Sequence, residues 1–320
     1  MNRLLSPEFE HDLFNGLLKE LHEYVLSDKT LMLAIRENSL NVYYRGGNLL
    51  KLAKKTYGYD AQIDENYGKK QPLTMPHPPN KIETKTDIAQ WLSVFPTYKQ
   101  IMDFRFSREP ETEREYQQVV AKVNNLAPIS SATDYFIADV ELPDNDVGAK
   151  FDMLAFKWPC TSKNRRQSTP DIQLALIEMK YGNNALKGNA GIADHLKQFE
   201  DLLNDQKNQQ KIKNLAESQI IQINQLNRLG MFDYEGNDKG RIFNLKDSRY
   251  EVIFLFGGLN LRSSTLLKEL TKVSTLIKSM ESFCDVRFFV PTSAGFALYA
   301  SCMFNIDAYI EFLEKSNKEE

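Results

Sequence analysis

Four histidines and three cysteines among 320 residues leave few ways to build the commoner catalytic centres. His11, His22, His77 and His195 include no pair spaced i, i+2 or i, i+4, which removes the two-histidine helix of a zinc hydrolase. Cys160, Cys284 and Cys302 stand far apart, so they form neither a Cys-x-x-Cys knuckle nor a disulfide framework, and a reducing, cytoplasmic setting is the expectation. The chain has no Gly-x-Ser-x-Gly elbow, no Gly-x-Gly-x-x-Gly and no Gly-x-x-x-x-Gly-Lys-Ser/Thr loop. Acyl transfer on an α/β-hydrolase fold, hydride transfer and nucleotide-driven chemistry therefore lose their usual support. The turn Gly257-Gly258-Leu259-Asn260 follows an apolar run but lacks the lysine of a phosphate loop, and reads as the end of a buried strand. No apolar run approaches the roughly 18 residues that span a bilayer, and no leader is visible, so no membrane partner is expected. An excess of charge is missing too. Forty basic against forty-three acidic side chains give a net charge of −3, so nucleic acid would have to be met by a local basic surface.

What is present is the composition of a folded protein, 42% apolar and 26% charged, with length for one large or two ordinary domains. Residues 7–28 read as one amphipathic helix, with Leu13, Leu17, Leu18, Leu21 and Val25 on a shared face. Residues 40–63, with Gly46, Gly47 and Gly58 between β-rich runs, read as a three-stranded meander in which 49–55 could instead form a helical turn. The proline-rich stretch 71–80 is a loop. The spacing predicts helices over 86–92 and 110–125, and the chain divides into an accessory region, 1–105, and a larger domain, 106–320. Beyond residue 134 the pattern is a hairpin of strands 135–142 and 150–158 joined by a turn at 143–148, and then a strand over 173–181. Helices follow over 192–203 and 207–228, a strand over 251–256 and a helix over 263–280. Strands over 285–291 and 296–301 and a helix over 306–315 complete the domain. Strands alternating with helices indicate an α/β class with a central sheet covered on both faces.

Charged residues interrupt this apolar hairpin and the strand after it. Asp152 stands within Phe151-Asp152-Met153-Leu154-Ala155-Phe156, and Glu178 and Lys180 within Leu176-Ile177-Glu178-Met179-Lys180-Tyr181. The strand period of two puts Glu178 and Lys180 on one face, and pairing of the second and third strands brings Asp152 beside Glu178. Two carboxylates and the Met179 main-chain carbonyl can hold a hard divalent cation with an ammonium alongside, a constellation suited to phosphodiester hydrolysis. An acid, any residue and a lysine is a loose pattern. Glu83-Thr84-Lys85 and Asp205-Gln206-Lys207 also satisfy it, in polar surroundings without a preceding apolar hairpin. The competing expectation is that this face of the strand meets water and that Glu178 and Lys180 are an ordinary ion pair.

In the order helix 113–120, hairpin, Glu178-Met179-Lys180 strand and helix 191–199, residues 112–203 resemble the PD-(D/E)xK nuclease superfamily, although Phe151 stands where a proline is usual. The resemblance implies a restriction-endonuclease-like mixed central sheet flanked by helices, preceded here by an N-terminal helical region carrying the small β-meander. It implies Mg2+ or Mn2+ held by Asp152, Glu178, the Met179 carbonyl and Glu115 of the leading helix. Lys180 would orient the attacking water and steady charge on the phosphoryl oxygens. The implied activity is in-line hydrolysis of DNA rather than RNA, in restriction, phage defence or repair, with a homodimer or partner subunit for paired cuts. The alternative is a non-catalytic nucleic-acid-binding or assembly subunit that keeps the fold.

Around this core, Glu141 on the neighbouring strand is a substitute for Glu115, and both also read as exposed acids. His195 and Gln198 follow the lysine strand, where a polar residue near the site and a backbone-bonded core histidine are equally good readings. Lys157, Lys163, Arg165 and Arg166, with Lys207, Lys211 and Lys213, are candidates for phosphate attraction or plain solvated faces. Tyr43, Tyr44, Tyr57 and Tyr59 are candidates for base stacking or core packing.

Overall fold

The computed structural model describes residues 4–36, 38–70, 72–110, 112–125, 132–142, 151–228, 243–246, 249–260, 262–291 and 295–318. The chain divides into two compact units. One comprises residues up to Gln118 together with those from Ile221 to the end of its helix; the other begins at Val119 and includes everything described after residue 242. The division thus falls inside the leading helix rather than at 105, and a later helix returns to the first unit.

In the first unit the expected single helix over 7–28 is two, α1 (Pro7–Phe14) and α2 (Lys19–Ser27). Asn15-Gly16 stops α1, as Asn and Gly at a C-terminus commonly do. The expected meander is larger: five antiparallel strands in sequential order, β1 (Leu31–Arg36), β2 (Ser39–Tyr44), β3 (Gly47–Lys54), β4 (Tyr59–Gln62) and β5 (Lys81–Ile82). Residues 49–54 are strand, not helix. Arg45 and Gly46 both take positive φ (50° and 77°), the signature of a two-residue hairpin whose twist matches its strands. A helix expected over 86–92 runs instead as α3 (Lys85–Arg108), opened by a Thr84/Asp87 capping box. Pro96 removes one intrahelical hydrogen bond but does not end the helix. Trp91, Phe95, Tyr98, Ile101, Met102 and Phe106 continue a buried stripe past it.

α4 (Thr112–Asn125) leads into the second unit, whose sheet has the order β11-β10-β8-β7-β6. Its strands are β6 (Tyr135–Leu142), β7 (Phe151–Lys157), β8 (Asp171–Tyr181), β10 (Tyr250–Gly257) and β11 (Cys284–Phe289), with the short β9 (Asn244–Leu245) beside the start of β8. β6 and β7 form the expected antiparallel hairpin; its connection, 143–148, lies outside the described residues. β8 pairs antiparallel with β7 and parallel with β10, so the sheet is mixed. β10 is buried along Val252 to Phe256 because strands flank it on both sides and side chains cover both faces. The helices are α5 (Ile192–Asn204), α6 (Gln206–Arg228), α7 (Ser264–Met280) and α8 (Ile306–Lys318), close to their expected limits. The strand expected over 296–301 is absent: residues 295–299 are irregular and Ala300–Cys302 is a 3-10 turn. Among the described residues no helix is long and apolar enough to cross a membrane.

Candidate functional site

β8 is the middle strand of the mixed sheet, and its register decides which side chains meet. Leu176 faces Leu154 of β7, and Met153 faces Ile177; Asp152 and Glu178 stand one position beyond that last registered pair. Residues opposite one another share a face, so Asp152 and Glu178 are cross-strand neighbours. On the other side Phe254 stands opposite Glu178, and Phe256 opposite Lys180. Phe254, Phe256 and Phe288 stack with ring centres 5.9 to 6.4 Å apart. The charged pair therefore has an aromatic wall on its β10 side and a carboxylate on its β7 side.

α5 covers this face. Its buried residues Ile192, Leu196, Phe199, Leu202 and Leu203 follow helical spacing, and Phe199 meets Phe254 edge to face at 6.2 Å. Glu178 and Lys180 are consequently only 2% and 3% exposed, which overturns the reading of a water-facing ion pair. The Lys180 Nζ lies 2.5 Å from Glu178 Oε1. Glu178 Oε2 is buried with no hydrogen-bond partner. Asp152 is half-buried, and its Oδ2 accepts a 2.7 Å hydrogen bond from the Met179 backbone N–H. That bond takes the place of a ladder bond where β7 and β8 stop pairing. The N–H and C=O of one strand residue point the same way, so the Met179 carbonyl also faces the β7 side.

His195, in the first turn of α5, brings a fourth polar group. Its Nδ1 lies 3.0 Å from Glu178 Oε1 but forms no hydrogen bond there, and its side chain is 12% exposed. The sequence left His195 between a site residue and a core histidine; the structure puts it against the site.

Glu115 has different company. Arg45 binds it through both oxygens, Nε to Oε1 at 2.7 Å and Nη2 to Oε2 at 3.1 Å, while Nη1 reaches Asp103 at 2.8 Å. All three residues belong to the first unit, where Gly46 brings the hairpin so close to α4 that an added Cβ would lie 2.5 Å from the Arg114 backbone. Glu141 stands at the register position opposite Asp152, between the registered pairs Val140–Met153 and Leu142–Phe151; its side chain lies outside the described residues. Asp139, a residue the sequence did not single out, is buried and accepts a 2.8 Å hydrogen bond from Gln219 of α6. Its signal was one more acid in an apolar strand.

Several expected phosphate and base contacts are structural. Lys157 pairs with buried Glu251 at 3.0 Å, and Tyr135 donates to the same carboxylate at 2.7 Å. Arg165 stacks on Trp158 at 3.9 Å and donates to two backbone carbonyls, while Lys163, Arg166, Lys207 and Lys211 are exposed. Tyr43 and Tyr59 are core residues, whereas Tyr57 is 83% exposed. The two loose acid-x-lysine matches cap helices: Thr84 is the N-cap of α3, and Asp205 ends α5. Cys284 is buried, and burial pushes its thiol up to about 12, which removes it as a nucleophile.

Among the described residues, no three His, Cys, Asp or Glu side chains form a metal group by themselves. The donors at the end of β7 and β8 nevertheless suit a hard cation: carboxylates from Asp152 and Glu178, the Met179 carbonyl, and a buried carboxylate oxygen lacking a partner. In comparison with known proteins, no protein-family model, curated protein or solved structure matches the chain.

Proposed function

We propose that this chain is a divalent-metal-dependent nuclease of the PD-(D/E)xK superfamily, with a restriction-endonuclease-like sheet, that hydrolyses phosphodiester bonds of DNA. The observation that carries the reading is the Glu178–Lys180 pair in the middle strand, buried beside Asp152 with one carboxylate oxygen unsatisfied. Taking charges out of water costs several kcal/mol per ion, an expense that a hydrophobic pair of similar volume would avoid. Groups held at such cost are frequently functional.

Asp152, Glu178 and the Met179 carbonyl would hold Mg2+ or Mn2+, which supplies positive charge to the phosphoryl oxygens and makes water a better nucleophile. Lys180 orients the attacking water and stabilises the charge that builds on the phosphate. The wall of Phe254, Phe256 and Phe288 keeps bulk water from that side and strengthens these interactions. The setting is cytoplasmic restriction, phage defence or repair. One observation favours the rival, a nucleic-acid-binding or assembly subunit: Glu115, the fourth acid carried over from the resemblance, is held by Arg45.

The test is cleavage of labelled single- and double-stranded DNA and RNA with Mg2+ or Mn2+, comparing the wild type with Asp152→Asn. Asparagine keeps an oxygen to accept the Met179 N–H, so the strand end stays intact while the charge is lost. Metal-dependent cutting of DNA that Asp152→Asn lowers about 100-fold or more supports the reading. A folded wild type that cuts no substrate with either metal refutes it and favours the subunit.

A further inference from the structure

Lys180 satisfies one oxygen of Glu178 and leaves the other without a partner. The Nδ1 of His195 is likewise buried and unpartnered, although it lies 3.0 Å from Glu178 Oε1. A carboxylate only accepts hydrogen bonds, and so does the Nδ1 of a neutral imidazole that carries its proton on Nε2. Two lone-pair donors facing one another, with no proton shared between them, are satisfied together by a cation. The spacing fits as well: adjacent ligands about 2.1 Å from one octahedral ion stand about 3 Å apart.

The position of His195 is set by the packing that builds the site. Ile192, Leu196 and Phe199 of α5 are fully buried, and Phe199 lies against Phe254, the residue opposite Glu178. The first turn of α5 therefore returns to Glu178 after the loop that begins at Gly182.

We propose that His195 is a ligand of the cation, coordinating it through Nδ1 beside Glu178, and that the site in consequence prefers Mn2+, or another first-row transition ion, to Mg2+. Mg2+ takes oxygen donors and keeps much of its water, whereas an imidazole nitrogen adds affinity for transition ions. The inference rests on the metal-dependent reading and goes beyond it in naming a nitrogen donor and the metal it selects.

The experiment uses the full chain and the metals alone, without substrate. Titration calorimetry with MnCl2 and MgCl2 compares the wild type, Asp152→Asn, His195→Ala and His195→Gln. Electron spin echo modulation of the Mn2+-loaded wild type, prepared with natural and with 15N-labelled histidine, reads nitrogen coordination directly and needs no variant to fold. The expected results are Mn2+ binding at least about tenfold tighter than Mg2+ binding, and a histidine nitrogen signal that changes with the isotope. In both His195 variants, Mn2+ affinity falls about tenfold or more while Mg2+ affinity changes less than threefold. Mn2+ bound in an Asp152-dependent manner, with no nitrogen signal and no loss in the His195 variants, overturns the ligand role and leaves the metal-dependent reading standing. A folded wild type that binds neither metal overturns both.

Discussion

Replacing Lys180 with methionine strands the Glu178 carboxylate among Phe254, Phe256 and α5, where it is 2% exposed. Breaking a buried pair in this way costs about 3–5 kcal/mol. An independent bound agrees: neutralising an ordinary carboxyl or ammonium at pH 7 takes about 4 kcal/mol, and the stranded group escapes by that route when burial becomes worse. Glu178→Leu strands the ammonium at a similar cost. The double variant, Glu178→Leu with Lys180→Met, removes both charges and fills the space with apolar atoms, so it should be at least as stable as the wild type, by up to about 4 kcal/mol. The assay is urea denaturation followed by fluorescence. Trp91 lies in the first unit and Trp158 in the second, so a Trp91→Phe background lets Trp158 report the unit that contains the site. The pattern expected is two costly single changes and a stable double variant, a coupling that only a pair retained for something other than stability produces. A double variant as unstable as the worse single one would refute the reasoning, because the pair would then be holding the fold together.

Three further outcomes follow from particular contacts. Gly46 and Gly188 have the same φ of 77°, but an added Cβ meets the Arg114 backbone at 2.5 Å in the first case and nothing within 4 Å in the second. Gly188→Ala should therefore cost about 1–2 kcal/mol from backbone conformation alone, and Gly46→Ala measurably more, each read from the tryptophan of its own unit. Burial works to raise the Asp28 carboxyl, but hydrogen bonds from Lys99 and Thr30 outweigh it and hold it below its ordinary value. A depressed carboxyl contributes stability above its unfolded pKa and loses it as pH falls through the folded one. Asp28→Asn should thus cost about 1 kcal/mol in neutral denaturant titrations, with the difference vanishing below the ordinary aspartate value of 3.8. Arg45→Met should destabilise the first unit by about 2 kcal/mol or more, since it strands Glu115 and Asp103 together; a change under about 0.5 kcal/mol in the Trp91 signal would show the cluster to be loose.

The elements legible in the sequence were those whose pattern is local. Alternation gave β6, β7 and β8, and helical spacing gave α4 through α8, within a few residues of their observed ends. α3 was cut short because Pro96 outweighs local propensity on paper, whereas the buried stripe from Trp91 to Phe106 outweighs Pro96 in the fold. β1 and β5 went unread because they gain their hydrogen bonds from neighbours: β5 is two residues long and exists only against Tyr59 and Asp60. The candidate site divides along the same line. Asp152, Glu178 and Lys180 could be placed on one face from strand periodicity and a guessed register. Their burial could not be read, since it comes from α5 and β10, and Phe254 lies 76 positions from its neighbour Glu178. The Arg45–Glu115 pair spans 70 residues and joins a hairpin tip to a helix, a contact for which local pattern carries no signal.

The central claim is that Lys180 acts on a phosphodiester rather than merely balancing Glu178. The most direct measurement is the single-turnover cleavage rate of labelled duplex DNA at saturating Mn2+, with the wild type compared against the Glu178→Leu, Lys180→Met double variant once denaturation has shown the latter to be folded. The account predicts metal-dependent cutting by the wild type and a loss of about 1,000-fold or more in a variant of equal or greater stability. Equal rates from the two proteins, or no cutting by the wild type, would contradict it.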